Sequence, residues 1–131
     1  MAKKVQKSNN SGVKKLKILI TIVDRSKSLF YTDLLEQYEV NMQMVLYGKG
    51  TATSETLNYL GLAETEKAVI LSVIRDDKTK EIMEVLTEKF EKVKNGKGIA
   101  YTIPMKSIIG VSIYQFLSNN KVSKKEEKNN E

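Results

Sequence analysis

The sequence predicts an α+β fold, a ferredoxin-like βαββαβ sandwich in which one antiparallel sheet carries two helices on one face. Three observations point to it. A strand–helix–strand pattern occurs twice, with Lys17 and Lys67 standing 50 residues apart and the triplets Gly48-Lys49-Gly50 and Gly96-Lys97-Gly98 standing 48 apart. Two such units joined head to tail give the β-α-β-β-α-β order. The first and third strands are apolar at nearly every position, as expected of strands whose two faces are both removed from water. The chain's 131 residues suit one domain of ordinary size.

The first element is the β-branched run Lys17–Val23. Asp24–Ser28 then offers capping side chains, and Leu29, Phe30, Leu34, Leu35 and Tyr38 follow at helical spacing. Val40, Met42, Met44 and Leu46 alternate with Asn41 and Gln43, the signature of a half-buried strand that ends in Gly48-Lys49-Gly50. In the second unit Lys67–Ile74 is a strand, and Asp77 can cap a helix whose apolar stripe is Ile82, Val85, Leu86, Phe90 and Val93. Lys94-Asn95 turns into Gly96-Lys97-Gly98, Ile99–Ile103 forms the last main strand, and Pro104 closes it. Ile108–Tyr114 is expected to add an edge strand or to clasp a neighbour.

Charge organises the chain further. The net charge of +6 comes from 22 basic and 16 acidic residues, yet residues 1–15 contribute five lysines and no acid, and residues 118–131 contribute four lysines against three glutamates. Residues 16–117 are therefore neutral, with 13 of each sign. Both ends are rich in Lys, Asn and Ser and read as disordered tails on a central domain. The longest apolar run near the start, Ile18–Val23, is too short for a signal peptide or a membrane span, so a soluble cytoplasmic protein is expected.

The sequence contains no cysteine and no histidine. Disulfides, thiolate nucleophiles, zinc–sulfur sites and the commonest general base are thereby excluded, and no nucleophile–base pair can be assembled. An enzyme is not expected, and neither catalytic residues nor a metal site are assigned. The almost wholly apolar first and third strands also imply that the uncovered sheet face is buried against further copies of the chain.

Two features remain for function. The segment 48–66 joins the second and third strands with far more residues than a hairpin needs, and long loops inside compact domains are usually functional. Within it Thr53 or Ser54 can cap a short helix that Gly61 stops, with Leu62 behind it. The two Gly-Lys-Gly triplets stand at strand–loop junctions, where glycines permit close backbone approach and amides with a lysine can hold an anion. Neither triplet is a Walker loop or a dinucleotide fingerprint.

The order strand, helix, strand, Gly-rich loop, strand, helix, Gly-x-Gly turn, strand, Pro resembles the P-II nitrogen-regulatory superfamily over residues 16–113. Its most specific segment is Gly96-Lys97-Gly98-Ile99-Ala100-Tyr101-Thr102-Ile103-Pro104, which is similar to that family's B-loop and following strand. The resemblance implies a divergent member: a homotrimeric signal-transduction protein that binds an adenine nucleotide such as ATP, ADP or AMP between subunits. It implies a ligand site at Gly48, Lys49, Gly50, Thr51, Gly96, Lys97, Gly98 and Ile99, with residues 94–98 as the B-loop-like turn. It also implies that residues 48–66 form a T-loop-like arm, with Thr53, Ser54, Tyr59, Gly61 and Leu62 contacting a regulated transporter or nitrogen-metabolism enzyme. The sequence departs from the family where a phosphate-directed lysine is replaced by Ile99, and where two arginines are replaced by Gly110 and Ser112.

The rival reading is an RNA-binding module of the same topology, since Lys97-Gly98-Ile99-Ala100-Tyr101 echoes an RNA-recognition motif. That motif belongs on the third strand, whereas here it falls on the last, and Lys17–Val23 offers no aromatic platform.

Overall fold

The structure, a computed structural model, describes residues 15–51, 55 and 65–118. Its elements are β1 (Leu16–Asp24), α1 (Ser28–Glu36), β2 (Met42–Lys49), β3 (Glu66–Arg75), α2 (Thr79–Lys92), β4 (Gly98–Pro104) and α3 (Val111–Leu117). The four strands form one sheet in the order β2-β3-β1-β4, and every neighbouring pair is antiparallel. This is the expected βαββαβ sandwich. The two halves match even at their β–α junctions, where a single 3₁₀ turn, Arg25–Lys27 and then Asp76–Lys78, leads into each helix.

Period-two alternation divides the sheet into two faces. Leu19 and Val23 of β1, with Ala68, Ile70 and Ile74 of β3, join Tyr31, Leu34, Leu35, Ile82 and Leu86 of the helices in one buried cluster. The other face is the finding that matters for assembly. The registers place Met42, Val73, Ile18 and Ile103 in one row, Met44, Leu71, Ile20 and Tyr101 in the next, and Leu46, Val69, Ile22 and Ile99 in the third. All twelve positions are apolar, and the six on the edge strands are exposed.

Several local expectations are corrected by tertiary context. Met42, Met44 and Leu46 of β2 face this open side rather than the helices, while Gln43 and Val45 point inward. The Gln43 amide donates to the Thr32 carbonyl at 2.9 Å, and its carbonyl accepts from the Ser72 hydroxyl at 3.1 Å, so the polar group is satisfied beneath α1. Helix capping also differs: the N-caps are Lys27 and Lys78, neither with a side-chain cap bond. Asp24 is committed to Lys67 across the β1–β3 pair, and Asp77 to Arg75 at 2.6 and 3.0 Å. Arg75 also donates to Glu39 at 2.6 Å, and the hydrogen bond to Asp77 holds its pKa above the ordinary value. On α1 the buried aromatic is Tyr31, whereas Leu29 and Phe30 are exposed.

Ile108–Tyr114 is not a strand. Gly110 takes a left-handed φ of 96°, natural for glycine, and starts the short helix α3. Lys15 and Ser118, assigned from sequence to the tails, are held by the fold: the Lys15 carbonyl accepts from the Asp76 amide at 2.8 Å, and Ser118 is buried. The rest of both tails lies outside the described residues. No helix among the described residues is long and apolar enough to cross a membrane, and among them no acidic, His or Cys cluster could hold a metal ion.

Candidate functional site

Both glycine triplets sit at the same end of the sheet. Gly48 and Lys49 are the last residues of β2, paired with Lys67 and Glu66, and Gly98 opens β4 opposite Val23. They lie on opposite edges, with β3 and β1 between them, so about 14 Å of sheet separates the two turns within one chain. A single protomer therefore does not bring Gly48–Thr51 and Gly96–Ile99 together.

The turn before β4 is built for packing. Asn95, at φ 56°, reverses the chain, and the Gly96 amide donates to the Val93 carbonyl at 3.0 Å. The Gly96 carbonyl accepts from the buried Tyr31 hydroxyl at 2.5 Å. A side chain at Gly98 would place its Cβ 2.5 Å from the Ile22 carbonyl oxygen and 2.8 Å from Val23, so glycine is required by the close approach to β1. Lys97 is exposed at this turn.

The other triplet is different. A Cβ at Gly48 would meet nothing within 4 Å, and the Gly50 amide donates to the Thr65 carbonyl, which draws the base of the loop shut. The amides of Gly50 and Gly96 are both used inside the fold, so neither is open to an anion, and the side chains at these turns gain weight.

Those side chains include residues that the sequence pattern did not reveal. Arg25, in the turn after β1, stacks its guanidinium 4.3 Å from the centroid of the Tyr47 ring. Arg25, Tyr47, Gly48, Lys49 and Glu66 line a cleft of about 290 Å³ at the base of the long loop. Directly behind it the Asp24–Lys67 pair is almost closed to solvent at its carboxylate, which is 3% exposed. No sequence motif links Arg25 to Tyr47; only the sheet brings them side by side.

The departures from the resembled pattern have physical reasons here. Ile99 completes the third row of the open face beside Ile22, so its side chain belongs to an apolar surface. Gly110 needs its left-handed backbone, which an arginine would strain. Thr53, Ser54, Tyr59, Gly61 and Leu62 lie outside the described residues; Glu55, within the same loop, is helical. The open face also weighs against base stacking, since Tyr101 is its sole aromatic and none of its twelve positions is basic.

No family model and no curated protein matches the sequence. Among solved structures the chain is similar to CPII, a nitrogen regulatory PII-like protein from Thiomonas intermedia K12, bound to ADP, AMP and bicarbonate. One such structure superposes with a TM-score of 0.54 at 18% identity, covering 72% of this chain and 96% of CPII. A second, at 2.3 Å, gives a TM-score of 0.50 at 23% identity, covering 71% and 94%. The chain shares the PII-like fold over nearly the whole length of that protein.

Proposed function

We propose that this chain is a divergent PII-like signalling subunit that assembles as a homotrimer and binds an adenine nucleotide in clefts between subunits. The observation that carries this reading is the placement of the two glycine turns at one end, but on opposite edges, of a sheet with the CPII fold. Such a site is completed when the β2 edge of one copy meets the β4 edge of the next. The twelve-residue apolar face supports the assembly, because a lone protomer would leave a continuous hydrophobic patch in water.

In this site Lys49 and Lys97 supply charge at the two turns, and Arg25 supplies charge at the cleft, in place of the cations lost at Ile99, Gly110 and Ser112. Tyr47, now covered by Arg25, offers a ring face to an adenine. Ligand seated on Gly48–Thr51 alters the base of the loop that begins at Gly50. Its T-loop-like segment then presents Thr53, Ser54, Tyr59, Gly61 and Leu62 differently to a regulated transporter or enzyme. The switch works only if the nucleotide binds the two loop states with different affinity. The chain acts as a regulator and not as a catalyst.

Calorimetric titration with ATP, ADP and AMP tests this. At least one is expected to bind, and Arg25→Gln combined with Lys49→Gln is expected to weaken it about tenfold or more while the thermal midpoint holds. Absence of binding by all three, to a folded assembly, would overturn the nucleotide reading.

A further inference from the structure

A cavity lies at the other end of the sheet, where β1 begins and β4 ends. It measures about 590 Å³ and is lined by Lys15, Leu16, Lys17, Asp76, Pro104, Met105, Lys106, Ser107, Ile108 and Tyr114. That volume falls within the roughly 300–1,000 Å³ common for small-molecule sites. The six-step rise along β1 from Lys17 to Val23 puts it about 20 Å from the glycine turns.

We propose that this cavity is a second ligand site, one that takes a small organic anion with an apolar or aromatic body. Its charge is one-sided. Lys17 pairs with Asp76 at 2.9 Å, whereas neither Lys15 nor Lys106 forms an ion pair among the described residues. Lys15 and Lys106, unpaired among the described residues, therefore line one cavity whose single acid, Asp76, is already paired with Lys17. The Ser107 hydroxyl adds a donor, and Leu16, Pro104, Met105, Ile108 and the Tyr114 ring provide an apolar wall. A carboxylate or phosphate head between Lys15 and Lys106 would leave the rest of the molecule against that wall.

The walls come from three separate segments tied together by hydrogen bonds. The Met105 amide donates to the Leu16 carbonyl at 3.3 Å, the Asp76 amide to the Lys15 carbonyl at 2.8 Å, and the Asn41 amide group to the Phe116 carbonyl of α3. The pocket is thus held open by the fold before any ligand arrives, which lowers the ordering cost of binding. Occupancy would bridge β1, β4 and the segment leading into α3.

The test uses 1-naphthyl phosphate, 1-naphthoate and uncharged 1-naphthol, titrated calorimetrically into the full chain, with isoleucine methyl resonances recorded in parallel. Both anions are expected to bind at least about tenfold more tightly than 1-naphthol, and the Ile108 methyl to shift while Ile99 does not. Lys15→Gln combined with Lys106→Gln is expected to remove that preference, and Lys94→Gln, at the far turn, to leave it intact. Equal affinity for the uncharged compound, shifts at Ile99 in place of Ile108, or a preference that survives the double substitution in a folded protein would each overturn the proposal.

Discussion

The Tyr31 hydroxyl donates to the Gly96 carbonyl oxygen at 2.5 Å across 65 residues of sequence, with the tyrosine fully buried. Its ring also packs against Phe90 of α2 at 5.5 Å between centroids. One side chain thus ties the first helix to the second and to the turn that launches β4. Tyr31→Phe keeps the ring and strands a carbonyl, so we expect a loss of about 1–3 kcal/mol in denaturant unfolding.

Burial also pushes the Tyr31 pKa up from 10.0 to about 12. Below pH 10 the phenol is neutral in both folded and unfolded chains, and its contribution is fully present. Between pH 10 and 12 the unfolded chain loses the proton that the folded chain keeps, so stability falls as pH rises. Unfolding curves across this window should fall more steeply for the native sequence than for Tyr31→Phe.

The glycines of the two triplets separate by substitution. Gly98→Ala drives a methyl group into the Ile22 carbonyl and Val23, and should cost about 1–3 kcal/mol in thermal or denaturant unfolding. Gly48→Ala meets open space in a strand, so stability should hold or rise by up to about 1 kcal/mol. Equal losses at both positions would contradict the packing described for β4.

The Asp24–Lys67 pair lies behind the loop base with the carboxylate nearly closed to water. Lys67→Met leaves that carboxylate without its partner and should destabilise the fold by about 3 kcal/mol. Adding Asp24→Asn should recover most of the loss, because a neutral amide is far cheaper to bury. Comparing the single and double variants by urea unfolding measures the coupling.

Met44 and Tyr101 occupy the two ends of the middle row of the open face, and both are exposed in the protomer. Met44→Glu with Tyr101→Glu should leave the protomer's far-ultraviolet dichroism unchanged and convert the assembly to monomer. Light scattering on the native chain should give three times the mass of one chain. A monomeric native chain would refute the trimer.

Much of this was readable from residue order alone. Ile82 and Leu86 fall on the buried stripe that the spacing predicts, and the apolar runs of β1 and β3 supply residues to both the helix-covered core and the middle of the open face. The glycine triplets were visible as turns, but their different duties were not. Gly98 is demanded by a carbonyl 76 residues earlier in the chain, at Ile22, while Gly48 is not sterically required. Arg25 beside Tyr47 left no trace in the sequence, because cross-sheet neighbours obey no fixed spacing.

Element type and order follow from local periodicity and propensity, which act over a few residues and survive without any partner. The face that each strand presents, the partner chosen by Asp24 in place of a helix cap, and the cavity between β1 and α3 depend on register between distant segments. Register is set by the joint burial of whole faces. For that reason the alternation in β2 was plain, yet only pairing with β3 turned Met42, Met44 and Leu46 to the open side and Gln43 beneath α1.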